Sequence, residues 1–168
     1  MSNTVFQKIA VIGAGTMGSG IAAQIANAGH DVMLFDLPAR DGDDKSPAEL
    51  AIDRLMVSDP PQLMHKRNAE RITTGTISDD FDALADCDWI IEAVVERLDI
   101  KKDLYRRLDA TIGPDCIVSS NTSTIPISLL VEEIPPAFRQ RFAITHSSIR
   151  CVRCVCWNWS VAPKHAAM

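Results

Sequence analysis

No stretch of this chain approaches the ~18 consecutive apolar residues of a membrane-spanning helix, so no membrane partner is expected. The opening residues, MSNTVFQK, lack both the charged start and the apolar run of a secretion signal, which points to a cytoplasmic protein. Basic residues are outnumbered, with 17 Lys and Arg against 22 Asp and Glu and a net charge of −5. No basic patch with interleaved aromatics offsets that balance, and nucleic acid is excluded as a main partner. The five cysteines do not make a disulfide framework, because three of them crowd between Cys151 and Cys156 and a cytosolic setting is reducing. Nor do Cys151, Cys154 and Cys156 with the distant His165 have the paired spacing of a zinc site, so no metal is expected. No repeat, low-complexity tract or linker divides the chain before His146. The 168 residues, 46% hydrophobic, are enough for one globular domain with its own core.

The chain is organised around residues 8–36, KIAVIGAGTMGSGIAAQIANAGHDVMLFD. Ile9 to Ile12 form a short apolar run suited to a buried parallel strand. Gly13, Gly15 and Gly18, with Thr16 and Met17 between the last two, complete a G-x-G-x-x-G motif that opens an Ala-rich helix. Gly29 stops this helix, and Val32 to Phe35 form a second strand ending in Asp36. Gly13 permits the tight turn, Gly15 lets a pyrophosphate approach the backbone, and Gly18 lets the helix pack close to the strand. The free N–H groups at the helix start favour that anion. Asp36 can accept hydrogen bonds from both ribose hydroxyls and would repel a 2′-phosphate. The motif in this setting predicts a dinucleotide site selecting NAD over NADP.

The expected fold is α/β: a doubly wound parallel sheet with an extra helical pair after the second strand. Ser46, Pro47 and Glu49 read as N-cap, first-turn proline and capping-box acid of a helix running through Val57. Pro60 and Pro61 break it, and Gln62 to Arg71 reads as a second helix. Its basic face, Lys66, Arg67 and Arg71, is either solvated or turned to a phosphorylated substrate. Further strands are expected at Ile72–Ile77, Trp89–Val95, Cys116–Ser119 and Phe142–Thr145. A helix over Leu98–Ile112 would bury Ile100, Leu104 and Leu108. Glu96, the SSNTST segment and His146 then fall at the carboxyl ends of strands, where ligands bind in open α/β sheets.

With these residues placed, the chain resembles the NAD-binding domain of 3-hydroxyacyl-CoA dehydrogenases. The likeness rests on IGAGTMGSGIA, Asp36, IIEAVVERLDIKKDLY, SSNTST and Thr145-His146, and it covers residues 7–146. It implies NAD-dependent oxidation of a 3-hydroxyacyl-CoA to the 3-oxoacyl-CoA in fatty-acid β-oxidation. It also implies an acyl-CoA partner and a homo-oligomer. By resemblance, Met17 and Asp36 line the adenosine end of NAD, while Val94, Val95, Glu96 and Lys101 hold it further along. Ser123 touches the substrate hydroxyl or the nicotinamide region, and His146 is the catalytic base. Two other readings stand beside this one: a different Rossmann hydroxy-acid dehydrogenase, and an NAD-binding module without catalysis.

The likeness stops at His146. The family continues as H-F-F-N-P, with a glutamate twelve residues beyond the histidine that pairs with the imidazole. This chain reads HSSIRCVRCVCWNWSVAPKHAAM instead. A shifted reading frame accounts for the departure. His146–Arg150 can be written CAT-TCT-TCA-ATC-CGC, and one T restored after the first codon gives HFFNP. Codon choice is narrow further on: the last base of Cys156 with TG of Trp157 must encode Leu. The last G of Trp157 with AA of Asn158 must encode Glu, and the next codon must again encode Leu. The glutamate thus returns at position 158. Residues 1–146 are therefore expected to form the NAD-binding domain. Residues 147–168 read as a non-family tail, poorly ordered or adventitiously packed, and the substrate and dimerisation domain of the family is absent.

Overall fold

The computed structural model describes residues 6–147 and 158–161. Six strands run parallel: β1 (Ile9–Ile12), β2 (Val32–Asp36), β3 (Ile72–Thr76), β4 (Trp89–Glu92), β5 (Ile117–Ser120) and β6 (Phe142–His146). A seventh, β7 (Asn158–Val161), joins the edge antiparallel, giving the order β3-β2-β1-β4-β5-β6-β7. The main helices are α1 (Thr16–Asn27), α2 (Pro47–Val57) and α3 (Leu98–Thr111), with short α4 (Ile127–Leu130) and α5 (Pro136–Arg139) before β6. The strand order reverses beside β1, and a doubly wound sheet opens its ligand crevice at that point.

Both faces of the sheet are covered, so the central strands are apolar throughout. On one face α1 and α2 close over Val11, Leu34 and Ile91. On the other, α3 packs Leu104, Tyr105 and Leu108 against Ile12, Ile90 and Val118. Burying each such side chain stabilises the fold by roughly 1.5–3 kcal/mol.

Several boundaries differ from the sequence expectation for identifiable reasons. The capping box of α2 forms as expected, with Ser46 and Glu49 exchanging hydrogen bonds. The partner helix expected over Gln62–Arg71 does not form; only Lys66–Arg71 coils, as a 3-10 helix. Asn27 of α1 takes the polar groups that an α-helix there would have used. Its side chain binds the Gln62 carbonyl, the Met64 N–H and the Asn68 amide. Strand β4 ends at Glu92 and not at Val95, because the Glu92 carboxylate accepts the Val94 N–H at 2.8 Å and turns the chain. In α3 the buried face carries Lys101 with Leu104, Tyr105 and Leu108, whereas Ile100 is left 36% exposed.

The tail also departs from expectation. Ser147 is buried, and Asn158–Val161 forms a strand although no alternating pattern announces it. Cys151, Cys154, Cys156, Trp157 and His165 lie outside the described residues.

Candidate functional site: a dinucleotide cleft at the carboxyl end of the sheet

The glycine loop is shaped by contacts that only glycine tolerates at two of its three positions. Gly13 has φ +105°, and a Cβ there would lie 2.5 Å from the Ala93 carbonyl oxygen. A Cβ on Gly18 would lie 1.7 Å from the Gly13 oxygen, so this glycine sets how closely α1 approaches β1. Gly15 differs: a Cβ there would meet nothing within 4 Å. Its side of the loop is open, as a backbone approached by a pyrophosphate requires. Gly15 is also the N-cap of α1, with no side-chain cap and no acid in the first turn. The N–H groups of Thr16 and Met17 are thereby left to an anion.

Asp36 ends β2 beside this loop. Its carboxylate accepts the Ala14 N–H on one oxygen and the Leu37 N–H, at 2.7 Å, on the other. Backbone donors therefore fix its orientation while it stays partly exposed. Arg54 of α2 reaches the same loop, donating to the Ala14 carbonyl at 3.1 Å. Leu37 and Val95 stand 58% and 60% exposed, apolar surface of the kind that flat bases pack on.

Glu96 follows β4. One of its oxygens accepts from the Thr122 hydroxyl, the Thr124 hydroxyl at 2.8 Å and the Thr124 N–H at 3.3 Å. The other lies 3.4 Å from Lys101 Nζ. Partial burial opposes its charge, but the threonine hydrogen bonds and the Lys101 charge prevail and take its pKa down to about 2. The threonines of SSNTST are thus committed to Glu96. Ser123, between them, is exposed and bonds no described residue. Asn121 accepts the Ser147 N–H at 3.0 Å and ties the end of β5 to the end of β6.

His146 is the last residue of β6 and is exposed. In the antiparallel register its partner across β7 is Asn158. On either side of it, the Thr145 and Ser147 hydroxyls are buried with no hydrogen-bond partner.

The topology gathers the ends of β1, β2, β4, β5 and β6 along one rim, and with them Gly13, Asp36, Glu96, Ser123 and His146. Lys101 is different: it is fully buried, paired to Glu92 at 2.6 Å. Glu92 is the residue that sequence reasoning left without a role. An acid inside the apolar run WIIEAVV was itself the signal, since a buried charge must find a partner. The basic face of Arg67 and Arg71 lies elsewhere, lining a polar cavity of about 610 Å³ at the far end of α1, where Arg71 is bonded to Asp31.

A glycine loop, an acid ending the second strand and an open rim at the switch point define a Rossmann dinucleotide-binding domain. The family profile for the 3-hydroxyacyl-CoA dehydrogenase NAD-binding domain matches residues 8–148. The chain belongs to this family, whose cofactor is NAD. It is 42% identical over 147 residues to an assigned fatty acid oxidation complex trifunctional enzyme of Rickettsia felis, covering 87% of this chain and 20% of that one. It is 40% identical over 141 residues to an assigned 3-hydroxyacyl-CoA dehydrogenase of Deinococcus radiodurans, covering 83% of this chain and 41% of that one. The crystal structure of a 3-hydroxybutyryl-CoA dehydrogenase from Escherichia coli superposes with a TM-score of 0.72 at 33% identity, over 86% of this chain and 30% of that one. The chain thus spans between a fifth and about two-fifths of the length of these relatives. Among the described residues no helix is long and apolar enough to cross a membrane.

Proposed function

We propose that this chain is the NAD-binding part of an enzyme that oxidises 3-hydroxyacyl-CoA to 3-oxoacyl-CoA, and that as written it binds NAD with little turnover. The observation that carries the reading is the shared rim of Asp36, Glu96, Ser123 and His146, beside a glycine loop open only at Gly15. Asp36 would take the adenosine ribose, the loop and the α1 N-terminus the pyrophosphate, and Glu96 with the Val94–Val95 backbone the part beyond. Bound NAD supplies a hydride acceptor. His146 would take the hydroxyl proton of the substrate, and Ser123 would hold that hydroxyl or the nicotinamide end. A cytoplasmic location and self-association belong to the same reading.

The reading of weak turnover rests on the β6–β7 edge. A base that becomes charged benefits from an adjacent carboxylate, and position 158, opposite His146, holds an amide residue. Ser147 adds support for a shifted frame: its buried hydroxyl is unpaired where H-F-F-N-P would place a phenylalanine. Residues 1–146 are accordingly the cofactor domain, and residues 147–168 the product of that shift.

Calorimetric titration with NAD and NADP tests the binding half: NAD is expected to bind the more tightly, and equal binding of NADP defeats it. NADH formation from a 3-hydroxyacyl-CoA, compared with a 3-hydroxyisobutyrate or 6-phosphogluconate substrate, tests the chemistry. It is measured on this chain and on the frame-restored, full-length protein. An inactive restored protein would remove the family chemistry from the proposal.

A further inference from the structure

Glu92 is fully buried at the end of β4, where an unpaired carboxylate would cost several kcal/mol. Four donors meet it. One oxygen takes Lys101 Nζ at 2.6 Å and the Val94 N–H at 2.8 Å; the other takes the Tyr105 and Ser120 hydroxyls, each at 2.6 Å. The donors come from α3, β5 and the β4–α3 turn, so this one carboxylate ties together the segments beneath Glu96. Burial, followed by the charge of Glu92, pushes the Tyr105 hydroxyl well above its ordinary pKa, so it stays a donor. Lys101 is likewise fully buried and offers no surface to a ligand in the cleft. What it does reach is Glu96, whose side chain is 37% exposed. Glu92, Lys101 and Glu96 form a row of alternating charge from the sealed core to the cleft.

The geometry points to Lys101 and Glu92 as positioning residues for the cofactor: Lys101 acts through Glu96 and not by touching NAD, and Glu92 holds Lys101 in place. This rests on NAD occupying the cleft described above. A lysine that contacts the cofactor itself and a lysine that acts through Glu96 differ in how their loss combines with the loss of Glu96.

The test is a binding cycle on the full chain, with NAD titrated by calorimetry and folding followed by circular dichroism. E92Q/K101M removes both buried charges together, so neither is stranded; E92Q/K101Q, in which two amides can bond each other, repeats the cycle should the first not fold. E96Q and E92Q/K101M are each expected to weaken NAD about tenfold, the scale of a hydrogen bond to a charged group. The triple variant is expected to bind as E96Q does. Lys101 is the only cation within ion-pair distance of Glu96 among the described residues. Native affinity should therefore stay level from about pH 8 to pH 5, while that of E92Q/K101M falls as Glu96 takes up a proton. Multiplied losses in the triple variant would mean that Lys101 contacts NAD, and would overturn the inference. Native affinity in E92Q/K101M would reduce the network to a structural pin and also overturn it. Absence of NAD binding by the native chain would fail the underlying reading, and this inference with it.

Discussion

The β1–α1–β2 unit and the β6–β7 edge flank the same cleft but secure their functional groups differently. Asp36 is held by the N–H groups of Ala14 and Leu37, one from the loop it serves and one from its own neighbour. Everything that orients it lies within the one βαβ unit. His146 depends on what the chain does after it, because its cross-strand partner is twelve residues further on. A self-contained motif survives the loss of the sequence beyond it; a histidine supported from a distant position does not.

The largest effect should come from repairing the weaker side. Restoring the frame after His146, with the domain that follows, is expected to raise NADH formation by ~10⁴-fold or more. Replacing the supporting aspartate by asparagine in serine-protease triads costs that much, and substrate positioning adds to it. Asn158→Glu alone, in the 168-residue chain, should leave NAD affinity unchanged while recovering only part of that rate. Comparable turnover by the chain as written would erase the contrast between the two sides.

On the stronger side, two glycines separate fold from binding. Gly18→Ala drives a methyl to 1.7 Å from the Gly13 oxygen, so α1 must move. A loss of about 1–3 kcal/mol in stability, the usual scale of overpacking, should accompany a collapse of NAD affinity. Gly15→Ala meets no protein atom within 4 Å and should leave the melting temperature unchanged while weakening NAD. Equal destabilisation by both would show that the loop is not open where a pyrophosphate is expected.

The same contrast explains what could be read from the sequence. The glycine loop, the capping box at Ser46–Glu49 and the acid at Asp36 are local devices, each legible within a few residues. What was missed depends on partners far apart in the chain. Asn27 abolishes an α-helix 35 residues away by taking the Gln62 carbonyl. Lys101 occupies the buried face of α3 because Glu92 waits on another strand, so a helical wheel of apolar residues misassigned Ile100. Strand β7 has no pattern of its own, and pairing with the edge of β6 is what makes it a strand.

A smaller effect tests the edge without reference to catalysis. The Ser147 hydroxyl is buried and unpaired, a state that costs about 1–3 kcal/mol. Ser147→Ala removes it at little loss of volume and should stabilise the chain by about 1 kcal/mol in urea unfolding. A destabilised variant would indicate that the hydroxyl has a partner in the folded protein, and would remove one support for the shifted frame.

The smallest effect concerns acid. Glu96 has a folded pKa of about 2 against an ordinary value of 4.5, because its threonine bonds and Lys101 outweigh partial burial. A carboxylate with a depressed folded pKa adds stability that is fully present above its unfolded value and disappears as pH falls through the folded one. Glu96 should therefore contribute at neutral pH and lose that contribution progressively between about pH 5 and pH 2. Because its side chain is 37% exposed, solvent screens the lysine part of this gain, and the slope should be shallow. Glu96→Gln should flatten that part of the stability–pH curve while leaving the alkaline side unchanged. Asp36 gives the internal comparison, since its backbone donors also stabilise a carboxylate but no described cation lies within ion-pair distance of it. Raising the salt concentration should shrink the Glu96 contribution and leave that of Asp36 in place. Identical salt responses at the two acids would mean that Lys101 does not matter to Glu96 in solution, and the hydroxyls of Thr122 and Thr124 alone would then account for its acidity.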